Sequence, residues 1–183
     1  MTLLHSPSAT TPTAPPPSPV AVLADQPRAF RDGLADLVTS VCVVTTEIDG
    51  ARHGFTANSV TSVSMDPPLV LVCLAGTAEC HDAFLAAETV AINVLAADQA
   101  PVSTAFATRG ADKFGAASFL SGITGSPVLQ GATVTLEGTV HKRTAAGDHT
   151  MIVVEVTGVT RGEREPLTYQ GRRFRRLLTS TEE

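Results

Sequence analysis

Two runs in the second half of the chain most limit what it can fold into. Ala132, Val134, Leu136, Gly138 and Val140 alternate with polar residues, and Thr150 to Thr157 is rich in β-branched side chains. Alternation at period two marks a strand with one buried face. Ala146-Gly147-Asp148 lies between the runs and turns the chain, so they predict a long antiparallel hairpin. Such a hairpin is not stable alone and needs further strands against its apolar face.

The rest of the sequence supplies them. Val41 to Thr46 (VCVVTT) reads as a buried strand, Ile48-Asp49-Gly50 as a turn, and Arg52 to Thr56 as the strand that returns. Leu69 to Leu74 and Val90 to Leu95 are apolar runs of strand length, and Pro166 to Gln170 reads as a last short strand. Pro67-Pro68 should end the segment before Leu69, because neither proline can serve a central ladder. Helices are few. Asp25 and Pro27 can start one whose apolar face is Phe30, Leu34, Leu37 and Val38. Cys80 to Ala87 and a segment capped by Asp98 and ending near Ala107 are two more short candidates. Six or more strands with two or three short helices predict a mainly β protein, a barrel rather than an alternating βαβ sheet. No internal repeat is visible.

The 183 residues suit one domain. Residues 1–24 read as a disordered Pro-rich tail (TPTAPPPSP at Thr11 to Pro19), with a docking motif as the functional alternative. The domain is expected over residues 25–178 and a short tail over 179–183. With 13 basic against 18 acidic residues the net charge is -5, so there is no global positive field for nucleic acid or an anionic membrane. The first twenty residues lack an export signal, and no run of about 18 apolar residues predicts a spanning helix. Cys42, Cys73 and Cys80 are odd in number and lack CxxC spacing, which predicts reduced thiols and a cytoplasmic location.

Several common chemistries have no motif here. There is no GxGxxG after a strand, no GxxxxGK[ST], no GxSxG and no HExxH. The five histidines are scattered, so no metal site is predicted.

Four constellations remain. Thr56-Ala57-Asn58-Ser59-Val60-Thr61-Ser62-Val63-Ser64 is dense in small hydroxyl and amide side chains. Such a run lets a flat ring approach the backbone and offers it polar partners; by composition alone it reads equally as a polar edge strand or turn. Gly147-Asp148-His149-Thr150 places an imidazole at the start of a strand, and is also ordinary turn chemistry. Asp112-Lys113-Phe114 offers a point charge for a phosphate and a ring for stacking, or a solvated lysine beside a core phenylalanine. Arg172, Arg173, Arg175 and Arg176 form either a solvated basic end or a contact for a nucleotide phosphate.

Taken together and in order, VCVVTT, GFTANSVTSVSMDPPLVLVCL, VAINVL, DKF, GSPVL, GDHTMIVVEV and PLTYQGRRF resemble the short-chain flavin reductases, the reductase components of two-component flavin-dependent monooxygenases. These pieces span roughly Phe30 to Phe174. The resemblance implies an FMN-binding split β-barrel of Greek-key type with a few short flanking helices, assembled as a homodimer. It implies hydride transfer from NADH or NADPH to FMN or FAD, and supply of reduced flavin to a separate monooxygenase. Thr56, Ala57, Asn58, Ser59 and Val60 would then lie beside the ring and ribityl chain. Cys73, Leu74, Ala75, Thr77 and Cys80 would follow the ribityl chain towards the phosphate, and Lys113 and Phe114 would stand near it. His149 would orient the nicotinamide, with Tyr169 in the same region.

Two positions depart from the family pattern. Where similar proteins carry hydroxyls in an arrangement like Ser-Ser-x-Thr, this chain has Thr77-Ala78-Glu79-Cys80, with fewer phosphate donors and an added negative charge. Gln170 stands where a second aromatic residue is common. The rival readings are a barrel that keeps its flavin and reduces another acceptor, and a non-catalytic barrel that holds flavin or haem.

Overall fold

Strand β2 (Cys42–Ile48) explains the architecture best, because both of its faces are buried. The computed structural model describes residues 27–177. The expected tails, and Asp25 as a cap, lie outside the described residues. Cys42 and Val44 point into one apolar cluster, and Val41 and Val43 into another. An unbroken β-branched run is the pattern such a strand requires.

The first cluster lies inside a curved seven-stranded sheet. Its strands are β2, β3 (Ala51–Ala57), β4 (Thr61–Met65), β5 (Pro68–Ala75), β6 (Thr89–Val94), β9 (Val134–Ala146) and β10 (His149–Arg161). The spatial order is β3-β2-β6-β9-β10-β5-β4, and every neighbouring pair is antiparallel. The sheet is not closed: β3 and β4 are its two edges. The fold is therefore mainly β, a split barrel rather than a continuous one. Phe55, Val72, Leu74, Phe84, Ile92, Ile152 and Val154 fill it.

Outside, α3 (Ala100–Ala107) and the small sheet of β7 (Phe119–Ser121) and β8 (Pro127–Leu129) cover the other face of β2, with Val102, Phe106 and Leu129 in the second cluster. Asn93 of β6, fully buried, ties these layers together. Its amide donates to the Val43 carbonyl (3.1 Å) and to Thr45 Oγ1 (3.3 Å). Its oxygen accepts from the Leu129 N–H (2.9 Å) and the Thr135 hydroxyl (3.2 Å). A fully satisfied buried amide costs little and fixes the register of the strands it joins.

The long hairpin predicted from alternation is β9–β10, each 13 residues, and Gly147 (φ 61°) opens its two-residue turn. Asp49 and Gly50, at φ 49° and 79°, make the β2–β3 turn with both central residues in the left-handed region. Three expectations are corrected. Pro68 does not precede a strand but opens β5, at a strand-end position where its missing N–H is tolerated. Gln99, not Asp98, occupies the N-cap position of α3, with no side-chain cap hydrogen bond; Asp98 instead pairs with Arg164. The strand expected at Pro166 to Gln170 is not the last: β11 (Thr168–Gln170) pairs with β1 (Thr39–Ser40) and with a further short strand, β12 (Arg173–Arg175), whose residues stay exposed. Helix α1 (Pro27–Ala35) ends before Leu37 and Val38, and Phe30 and Leu34 on it are about half exposed. Helix α2 (His81–Ala86) matches its expectation.

Gly138 shows how closely β9 and β10 approach: a Cβ there would stand 2.1 Å from the Glu155 carbonyl oxygen. Gly138→Ala should therefore cost about 2 kcal/mol or more in urea unfolding. An unchanged midpoint would mean that this crossing is looser than the structure has it.

Candidate active site

Between the edge β3, the C-terminal end of β5 and the segment after α3 lies a cavity of about 710 Å³. Its first wall is β3 and the turn after it, from Arg52 to Ser59. Gly54 lets this wall lie against α3, for a Cβ there would meet Phe106 Cε1 at 2.6 Å. Phe106 in turn packs with Phe114 and Phe119, so an aromatic cluster joins the helix to the loop after it.

The second wall is Cys73, Leu74 and Ala75 of β5 and the following turn through Cys80. The hydroxyl of Ser59 joins the two walls. It accepts from the Cys73 N–H (3.0 Å) and donates to the Cys73 carbonyl (3.4 Å). The Thr56 hydroxyl is likewise used internally, donating to the Ser103 carbonyl at 2.6 Å. Each hydroxyl has one proton, so these two can offer a ligand only lone pairs.

The third wall is cationic. Lys113 Nζ donates to Glu79 Oε2 (3.3 Å) and to the Thr108 carbonyl (2.9 Å), and Arg109 donates to the Thr77 carbonyl (2.8 Å). The Gly110 N–H donates to the same Glu79 oxygen at 3.1 Å. That backbone hydrogen bond, followed by the Lys113 and Arg109 charges, holds the Glu79 carboxyl below the usual range. Burial raises the Cys80 thiol, so it faces the cavity as a neutral group.

His149 stands at the rim, where β10 begins opposite Ala75. Its Nδ1 lies 2.7 Å from Asp148 Oδ1, and this hydrogen bond lowers the Asp148 carboxyl. The Gly76 N–H donates to the Asp148 carbonyl (2.9 Å), which anchors the hairpin turn to the second wall.

Most of the residues predicted to hold a cofactor line this one cavity: Thr56, Ala57, Asn58, Ser59, Cys73, Leu74, Ala75, Thr77, Cys80, Lys113 and Phe114, with His149. Two predicted site residues do not line it. Val60 packs on the barrel core, and Tyr169 lies on β11 against Phe174, ring centroids 5.7 Å apart. Sequence reasoning missed Arg52, Phe106 and Arg109 as lining residues. For Arg109 a signal existed, a second cation four positions before Lys113 in the same loop. Among the described residues no cluster of His, Cys, Asp and Glu could hold a metal, and no helix is long and apolar enough to cross a membrane.

A family model described as the flavin reductase like domain matches residues 34–178. The chain belongs to that family. Its flavin reductase relatives include an NADH:riboflavin 5'-phosphate oxidoreductase from Streptomyces pristinaespiralis, 41% identical over 152 residues, covering 81% of this chain and 86% of the relative. Among solved structures, the Streptomyces globisporus NADH:FAD oxidoreductase SgcE6 in complex with NAD and FAD fragments is 35% identical with a TM-score of 0.83, covering 90% of this chain and all of that one. BorF, the flavin reductase component of a bacterial two-component tryptophan halogenase, is 35% identical with a TM-score of 0.77, covering 83% of this chain and 98% of its own.

The cavity of this flavin reductase like domain depends on the Ser59 bridge between its walls. Ser59→Ala leaves the Cys73 N–H without that partner and should cost about 1 kcal/mol of stability in denaturant unfolding. An unchanged stability would show that water replaces the hydroxyl.

Proposed function

We propose that the protein is an NAD(P)H-dependent flavin reductase that passes hydride from a nicotinamide to FMN or FAD and supplies reduced flavin to a separate oxygenase. The observation that carries this reading is the three-walled cavity: a strand of small side chains, a cationic loop and an imidazole at the rim, in one space of about 710 Å³. That volume suits a drug-sized or cofactor-sized ligand. The relatives named above, two NADH:flavin oxidoreductases and the reductase of a two-component halogenase, support the same assignment.

The residues fit a flavin. Ala57 and Gly54 keep the first wall flat enough for a ring, Asn58 and Ser59 offer polar groups along the ribityl chain, and Cys73, Leu74, Ala75 and Thr77 line its other side. Lys113, Arg109 and the Gly110 N–H suit a phosphate, with Phe114 beside them. A bound flavin supplies the hydride acceptor, and the nicotinamide supplies the donor. The chain's own part is to bind, align and shield, so no acid, base or nucleophile is required of it. His149, held by Asp148, orients the nicotinamide from the rim, and Tyr169 stays outside this cavity, against Phe174. Val60 supports the first wall from the core.

Residues 25–178 are assigned to the catalytic domain, with tails at 1–24 and 179–183. A homodimer is supported by the edge strand β4, whose Val63 and Met65 are 53% and 88% exposed beside an unpaired ladder. The three free thiols suit the cytoplasm.

The deciding experiment mixes the protein with NADH or NADPH and FMN, FAD or riboflavin and follows absorbance of the nicotinamide. Oxidation should exceed the flavin-only control for at least one pairing; no excess with any pairing would sink the assignment. Yellow protein after gel filtration would favour a retained flavin over a released one. His149→Ala should raise the KM for the nicotinamide several-fold and leave flavin affinity nearly unchanged. Equal loss of both would place His149 on the flavin side or in the scaffold.

A further inference from the structure

The cationic end of the cavity already holds an anion of its own. Glu79 Oε2 accepts from the Gly110 N–H at 3.1 Å and from Lys113 Nζ at 3.3 Å. A single carboxylate oxygen thus takes one backbone donor and one ammonium, the pair of groups that a phosphate oxygen would take. The neighbouring cation, Arg109, gives a hydrogen bond to the Thr77 carbonyl. In the turn itself the Ala78 N–H is taken by the Ala75 carbonyl and the Cys80 thiol is weak and buried, which leaves the Thr77 hydroxyl as its one strong side-chain donor.

We infer that Glu79 is a built-in competitor for the flavin phosphate, and that it keeps the phosphate from contributing its full share to flavin affinity. This rests on the flavin reading above. A phosphate approaching Lys113 must either sit beside the Glu79 carboxylate or push it out towards solvent. The first choice adds like-charge repulsion, and the second breaks two charge-assisted hydrogen bonds. Glu79 is 40% exposed at its side chain, so the second path is open. Its depressed carboxyl keeps it charged at neutral pH, so the competition persists there. The result is a site whose grip rests on the ring and ribityl walls, and from which a phosphorylated flavin leaves readily.

Affinities of the full-length protein and its Glu79→Gln variant for FMN and riboflavin, read by quenching of flavin fluorescence at one ionic strength, test this. Gln keeps an oxygen acceptor for the Gly110 N–H and removes the charge, while its NH2 replaces the second oxygen, so Glu79→Ala, which adds no donor, should show the same gain for FMN. FMN should bind about tenfold more tightly to the variant, while riboflavin, which lacks the phosphate, stays within about twofold. Lys113→Ala added to that variant should remove the gain. Unchanged or weaker FMN binding, or an equal gain for both flavins, would overturn the inference and leave the flavin reading standing. Binding of neither flavin to the unaltered protein, with no nicotinamide oxidation, would overturn both. If thermal unfolding shows that Glu79→Gln has lost its fold, Glu79→Ala alone is read by the same criteria.

Discussion

The pairing of β10 with β5 is the constraint on which the site depends. Seven consecutive residue pairs run from His149 opposite Ala75 to Glu155 opposite Leu69. Side chains alternate along a strand, so a slip of one residue would exchange core and cavity faces on the whole segment. Ile152 and Val154 would leave the barrel interior, and the imidazole would no longer stand at the rim beside Ala75. The core therefore enforces the position of the site: burial of Val72, Leu74, Ile152 and Val154 selects the register that brings His149 to the cavity. The Gly76 N–H bond to the Asp148 carbonyl then fixes the last turn, where the ladder alone would fray.

The open side of the barrel gives the cavity its other wall. Edges β3 and β4 are not paired with each other, and the chain crosses between them through Asn58, Ser59 and Val60. A split of this kind would leave backbone groups exposed unless side chains answered them. Ser59 does so by bonding both backbone groups of Cys73, while Val60 packs inward on the core. The same small side chains that make this closure possible also leave room for a flat ligand. One short segment thus serves the scaffold and the binding wall, and its polar residues are only partly free for a ligand.

Strands were legible wherever burial imposed a period. Alternation from Ala132 to Val140 and the β-branched run after Thr150 located β9 and β10, and the run VCVVTT located β2. The short strands that sequence reasoning missed, β1, β7, β8 and β12, have two or three residues each, too few to show any periodicity. Asp98 looked like a cap by residue type, yet its charge is taken by Arg164, a partner 66 positions away that local reasoning cannot see. The site was legible only as an ordered set of weak motifs. Phe106 escaped it because its role comes from the approach of α3 to β3, a tertiary contact signalled only by the lack of a side chain at Gly54.

The charges of the cavity argue about the kind of chemistry the site can support. Glu79 and Cys80 of the cavity, and Asp148 beside it, are held away from proton exchange at neutral pH. Glu79 is locked as a carboxylate by the Gly110 N–H and the cations around it, and burial keeps Cys80 a thiol. Asp148, exposed and hydrogen-bonded to His149, is likewise held ionised, so it steadies the imidazole. Enzymes that rely on general acids or bases push such groups towards neutral pH. Here the carboxylates are pushed down and the thiol up, away from it. A site of that kind suits a reaction in which the bound reagents carry the electrons and the protein supplies only their alignment.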